Sequence, residues 1–197
     1  MNIQAHTANG PFRITERCGL EVAVTADAPL NAGDTIRFQF PNTWSLINGP
    51  SFTRDFQTDD PEGEHHVSVS TGKGDSGFPL AITKSHLNFR EGAARHGRLF
   101  TAEVPENIPA GETVFIRYRN TYAPYVSEEE TLWMEVNGKQ PDELPRLITL
   151  PGEHERFRVI SPSAAAPGKT FQVLVVSLDQ YDNSKSRSTP FVIKKRP

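Results

Sequence analysis

Cysteine is all but absent from this chain: Cys18 stands alone among 197 residues. A lone thiol excludes an intrachain disulfide, a cysteine-based zinc cluster and a C-x-x-C redox pair. An excess of either charge is missing too. The 21 lysines and arginines nearly balance 24 aspartates and glutamates, for a formal net charge of −3. Neither a nucleic acid nor an anionic membrane surface therefore has an electrostatic claim on the chain, and neither is expected as a partner. No apolar run approaches the roughly 18 residues that span a bilayer. The opening Met1-Asn2-Ile3-Gln4-Ala5-His6 has neither the basic start nor the apolar run of a signal peptide, and none is expected from it.

Helical periodicity is nearly missing as well, and alternation of apolar and polar residues takes its place. Leu20, Val22 and Val24 share one parity in 19–25, and Ile36, Phe38 and Phe40 in 35–41, where Arg37 and Gln39 are expected to face outward. The same pattern recurs at 66–70, 99–104, 113–119, 131–136, 156–160, 171–178 and 191–193. Side chains along a strand point alternately to opposite faces, so each such segment buries one face and wets the other. With 36% hydrophobic and 23% charged residues, the chain has the composition of a globular protein. Its 14 glycines and 16 prolines read as punctuation between strands. The sequence predicts an all-β fold, an antiparallel β-sandwich of immunoglobulin-like type.

Three stretches share a glycine turn, a charged residue, Thr and a strand: 31–36, 109–114 and 166–171. They mark strand starts, not a repeat, since their spacing is unequal. The polar segment 137–145, with Pro141 and Pro145, reads as a domain boundary. A sandwich over 1–140 is expected to close its own core. Residues 146–197 then form a partial second immunoglobulin-like unit or a docked β extension, since a whole domain of that type takes ~100 residues. This tail holds Phe157, Val159, Ile160, Phe171, Val173, Val175, Val176 and Leu178, too many apolar side chains for a solvated linker.

Letter matches to catalytic motifs fail on chemistry. Gly74-Asp75-Ser76-Gly77 copies the surroundings of a chymotrypsin-like nucleophile. His65 and His66, the upstream histidines nearest it, lack the surroundings of that family's base. Gly72-Lys73-Gly74-Asp75-Ser76-Gly77 fits G-x-G-x-x-G, but Phe78-Pro79 follows it where a phosphate-binding helix should begin. Residues 59–66 gather Asp59, Asp60, Glu62, Glu64, His65 and His66, the donor types a divalent ion selects. Adjacent strand residues point oppositely, so an acidic solvated loop leading into a strand at Val67 is expected instead. His86 and His96 add no ligand spacing. Asp179-Gln180-Tyr181-Asp182-Asn183 reads as a turn held by its own side chains. No catalytic residue, metal site or cofactor is expected.

Binding has better candidates. Arg117, Tyr118, Tyr122 and Tyr125 lie in one stretch, with Trp133 close behind, and such residues carry much of the energy of interfaces and stack on sugars. Trp44 reads as a plug at a sandwich end.

Two segments together carry a family resemblance: 32–38 running on to Pro41-Asn42-Thr43-Trp44, and 157–163 running through 167–171 to 179–183. They resemble the N-terminal β-sandwich region of large uncharacterised bacterial proteins whose later part is a PHP-like metallophosphoesterase body. The histidine-rich segments of that body have no counterpart here, so the resemblance implies a sandwich and assigns hydrolase chemistry to no residue. Asp182 stands where that turn usually has Gly. The function expected is a non-catalytic accessory or interaction module with a protein or carbohydrate partner. An N-terminal fragment of a metal-dependent hydrolase and a carbohydrate-binding module are the alternatives. A homodimer through exposed strands of 156–193 is one way to cover the tail.

Overall fold

The computed structural model describes residues 1–44, 56–72, 77–84, 98–164, 166 and 168–184. Lys73 to Ser76, His86, His96 and the expected strand at 191–193 lie outside them. The described chain forms two compact units, Met1–Thr149 and Leu150–Pro197. Its strands are β1 (Ile3–Thr7), β2 (Phe12–Arg13), β3 (Arg17–Ala26), β4 (Thr35–Gln39), β5 (His66–Thr71), β6 (Leu80–Lys84), β7 (Arg98–Glu103), β8 (Thr113–Tyr122), β9 (Glu129–Thr131), β10 (Trp133–Val136), β11 (Arg146–Leu150), β12 (Arg156–Ile160) and β13 (Leu174–Leu178). The helical content among the described residues is one 3-10 turn at Asn42–Trp44.

The first unit is an antiparallel β-sandwich. One sheet has the order β1-β3-β8-β5 and the other β10-β4-β7-β6. Alternation does what the sequence predicts: Leu20, Val22 and Val24 from β3 meet Ile36 and Phe38 from β4, with Phe40 beyond it, in a single core cluster. Val114, Ile116 and Tyr118 from β8 and Phe100 and Ala102 from β7 complete its centre. Phe38 stacks on Phe100 with ring centroids 4.9 Å apart, and Phe40 lies 5.0 Å from Tyr118 across the sandwich. Offset or tilted ring pairs of this kind add about 1 kcal/mol each to the burial they bring.

Two expectations are corrected in detail. Gln39 has the outward parity but is buried; its register partner is Trp133, itself buried on that face. Residues 146–149, grouped by sequence with the tail, belong to the first unit. β11 pairs with β9 in a small sheet of order β2-β11-β9, and Leu147 enters the core cluster. The glycines of the three turn stretches, Gly33, Gly111 and Gly168, all have positive φ, at 87°, 81° and 76°. β4 and β8 open two residues later at Thr35 and Thr113, whereas β13 waits until Leu174.

The second unit, among its described residues, is a two-stranded antiparallel sheet of β12 and β13. Two strands enclose no interior. Every residue of β12 is exposed.

Phe100→Ala should cost the first unit about 3–5 kcal/mol, the range for emptying a buried phenylalanine site. Phe157→Ala, at an exposed position, should stay within about 0.5 kcal/mol. Urea denaturation of the two variants beside the parent chain measures the contrast.

Candidate functional site

The pleat separates the five residues proposed for binding. Arg117 and Tyr118 are successive on β8 and face opposite sides of their sheet. The Arg117 guanidinium lies along the outer face. Its Nε donates to Glu21 Oε2 at 2.7 Å, its Nη1 donates to Ser70 Oγ at 2.7 Å, and its carbon centre sits 4.7 Å from the Phe115 ring centroid. It thereby ties β3, β8 and β5 together. Tyr118 points into the core and is fully buried, which pushes its hydroxyl well above the usual tyrosine range, against a hydrogen bond to Thr121 that lowers it. Trp133 is buried at the start of β10. Tyr122 is half-buried and Tyr125 exposed. These five do not form one surface: Tyr118 and Trp133 are buried, Arg117 and Tyr122 half-buried, and Tyr125 exposed. Trp44 does plug the sandwich: it is buried and meets Phe12 edge-on at 5.4 Å.

A denser constellation lies where the turn 57–65 meets β5 and the end of β8. Gln57 organises it through its carboxamide. Nε2 donates to the carbonyls of Asp60 at 2.7 Å and Glu64 at 3.2 Å, while Oε1 accepts from the amides of Asp59 at 2.9 Å and Asp60 at 2.8 Å. Backbone bonds tie the turn to its neighbours: the Gln57 amide donates to His65, the Val67 amide to Gln57, and the His65 amide to Asn120. Asn120 interrupts β8 with a φ of 52°. Its Nδ2 lies 3.1 Å from the carbonyls of both Glu62 and Gly63.

The acidic residues Asp59, Asp60 and Glu62 are exposed, as expected of a solvated loop, but both histidines are buried. That corrects the reading of the whole segment as solvated. His65 has a φ of 62° and stands just outside β5, so the strict alternation of a strand does not govern it. Its Nδ1 is 3.1 Å from the Tyr118 hydroxyl. His66 begins β5 opposite Arg119. Burial is the main influence holding the His66 imidazole below the usual histidine range. Arg119 acts in the same sense, and a hydrogen bond to the Thr58 backbone and the Asp60 and Asp59 carboxylates act against it. The Nδ1 of His66 has no hydrogen-bond partner among the described residues. Sequence reasoning found these histidines but not their burial, because the Gln57 side chain that folds the turn back carries no motif.

Among the described residues, no group of three or more His, Cys, Asp and Glu side chains is placed to hold a metal ion. Cys18 is half-buried, and burial, reinforced by the nearby Glu16 carboxylate, pushes its thiol up to about 12. Such a shift favours the thiol over the nucleophilic thiolate at neutral pH.

The segment 179–183 is a turn closed on one carboxylate. Asp179 is fully buried. Its oxygens accept from the amides of Gly152 at 2.8 Å, Tyr181 at 2.9 Å and Asn183 at 2.9 Å, and from Asn183 Nδ2 at 3.1 Å. Burial alone would raise this carboxyl, but those donors together hold it below the usual 3.8. Asp182, which stands where the resembled turn has Gly, takes a φ of 67°. Its carboxylate accepts from both Arg156 and Arg158 at 2.8 Å.

Two outcomes test these assignments. Gln57→Ala strands four backbone groups of the turn and should speed amide exchange across 57–65 by at least tenfold, with the β3–β8 amides unchanged. Asp179→Ala should remove about 3 kcal/mol from the second unit, the cost of several donors left without an acceptor. Because folding lowers the Asp179 pKa, its contribution is complete above about pH 4 and is lost as the pH falls through the folded value. Exchange at the β12 and β13 amides as a function of pH reads both effects.

Comparison with protein-family models, with curated proteins and with solved structures finds no match for this chain.

Proposed function

We propose that this chain is a non-catalytic β-sandwich interaction module that meets a protein partner through the hairpin of β12 and β13. The observation that carries the reading is the apolar character of that hairpin. Phe157 and Val159, each 61% exposed, lie among the exposed large hydrophobic residues with Ile160, Phe171 and Leu174. Isolated apolar side chains on a surface need no explanation, but several on one small element mark an interaction site. A sheet edge is a ready template for a further strand. The side chains that carry chemistry elsewhere in proteins support the non-catalytic half of the reading. Arg117 is engaged by Glu21 and Ser70, Asp179 closes a turn, and Cys18 stays protonated.

The immunoglobulin-like relationship belongs to the same proposal. In its support, two antiparallel four-stranded sheets, β1-β3-β8-β5 and β10-β4-β7-β6, face each other over one core, the architecture that such sandwiches use. On this reading, the resemblance to the front of longer bacterial proteins makes the module an accessory to a larger body.

A hydrophobic dye of the anilinonaphthalene sulfonate type, with sedimentation velocity over a range of concentrations, tests the proposal. The parent chain should bind the dye and associate as concentration rises, and Phe157→Ser with Val159→Ser should reduce both at unchanged melting temperature. A parent chain that binds no dye and stays monomeric would overturn the binding surface. Metal-supplemented hydrolase turnover that one point substitution abolishes would remove the non-catalytic half.

A further inference from the structure

The histidine pair at the mouth of the sandwich is buried, titratable and unused by the proposed hairpin surface. Three observations bear on what it does. First, among the described residues the turn 57–65 is held to the sandwich by polar contacts that can be named one by one: the Val67 amide to Gln57, the His65 amide to Asn120, the Asn120 carboxamide to Glu62 and Gly63, the His65 ring to the Tyr118 hydroxyl, and the Thr58 backbone to His66. Secondly, Phe56 immediately precedes the turn and is inserted among core rings, 5.7 Å from Phe40, 5.1 Å from Phe100 and 5.1 Å from Tyr118. Thirdly, His66 is buried with Nδ1 facing no acceptor among the described residues.

A neutral imidazole tolerates that environment at the cost of an unused lone pair. The cation does not, because both ring nitrogens then carry protons, and a buried N–H donor with no acceptor is expensive. The charged groups around the ring set the direction of relief. Arg119 stands opposite on β8 and repels an imidazolium. Asp59 and Asp60 attract one, and both are exposed at the rim of the turn with Glu62, while Glu64 is half-buried. Tyr118, on β8, and Cys18, whose charge bears on Tyr118, are protonated throughout the range in question and add no charge. A protonated His66 is therefore driven away from Arg119 and toward water, against the pull of Asp59 and Asp60 in the closed turn.

We propose that residues 57–65 are an acid-released latch: when His66 takes up a proton, the turn lets go of the end of β8 and Phe56 is withdrawn from between Phe40, Phe100 and Tyr118. Closed, the latch completes the aromatic core. Open, it presents an aromatic patch at the mouth of the sandwich, on a different element from the hairpin surface. The sign follows from linkage. The open state has the ordinary histidine affinity for protons and the closed state a lower one. The closed state is thus fully favoured above about pH 6.5 and loses ground as the pH falls below it.

Hydrogen exchange of the full chain between pH 7.5 and 4.5 (roughly the histidine range), corrected for intrinsic rates, tests this. The opening constant read at the Gln57, His65 and Val67 amides should rise by up to about tenfold per pH unit below 6.5, the slope for one linked proton, while the β3–β8 amides stay protected. His66→Phe should flatten that dependence. Should that variant fail to fold, the exposed charges decide: Arg119→Gln should move the transition to lower pH if repulsion from Arg119 is what drives the cation out, and Asp59→Asn with Asp60→Asn should strengthen acid opening by removing the carboxylates that stabilise the cation in the closed state. Turn amides that show no pH dependence, a dependence that persists in His66→Phe, or a transition unmoved by both charge variants would overturn the proposal.

Discussion

Contact between aromatic rings across the gap of the sandwich is the interaction on which the rest of the first unit depends. Phe38 and Phe40 come from one sheet side, Phe100 from the neighbouring strand, and Tyr118 from the opposite sheet, with centroid separations near 5 Å throughout. Rings of this size fix the separation of two sheets more sharply than branched aliphatic side chains do, because they have fewer ways to repack. Tyr118 adds a polar tip to this apolar assembly, and the tip must be satisfied. His65 lies within hydrogen-bond distance of it, which is why an imidazole occurs so deep in the structure. The turn 57–65 is thus positioned by the core and is not an independent loop.

Much of this architecture is legible in the residues. Strict alternation in 19–25, 35–41 and 113–119 marks the strands that build the centre, since a period of two leaves one choice of buried face. What alternation does not reveal is a short strand that joins a small separate sheet. β11 carries Leu147 and Thr149 inward and Arg146 and Ile148 outward, yet the prolines before it place it by sequence with the tail. β1 fails for a similar reason: of its five residues only Ile3 is both buried and strongly apolar. Gln39 and Trp133 show the complementary error, a polar residue with outward parity that is nonetheless covered.

The candidate sites were legible as compositions and not as geometries. Arg117 and the tyrosines looked like a recognition surface because they are adjacent in sequence, and adjacency in a strand places side chains on opposite faces. The acidic histidine segment looked solvated because carboxylates dominate it. Its fold depends on one glutamine seven residues before Glu64, and a lone glutamine announces nothing. The turn at 179–183 was readable, because aspartate and asparagine at that spacing satisfy a backbone by themselves.

β8 is paired along both of its edges, with β3 on one side and β5 on the other, and its inner side chains form the middle of the core. A residue gained or lost within it would turn Val114, Ile116 and Tyr118 outward against two neighbours at once. Only where the ladder is already irregular, at Asn120 on β8 and between Cys18 and Leu20 on β3, can a change of length be taken up. A change of chain length in the centre of this sheet therefore costs far more than the same change in a connection between strands, which makes β8 the ruler against which both of its neighbours are measured.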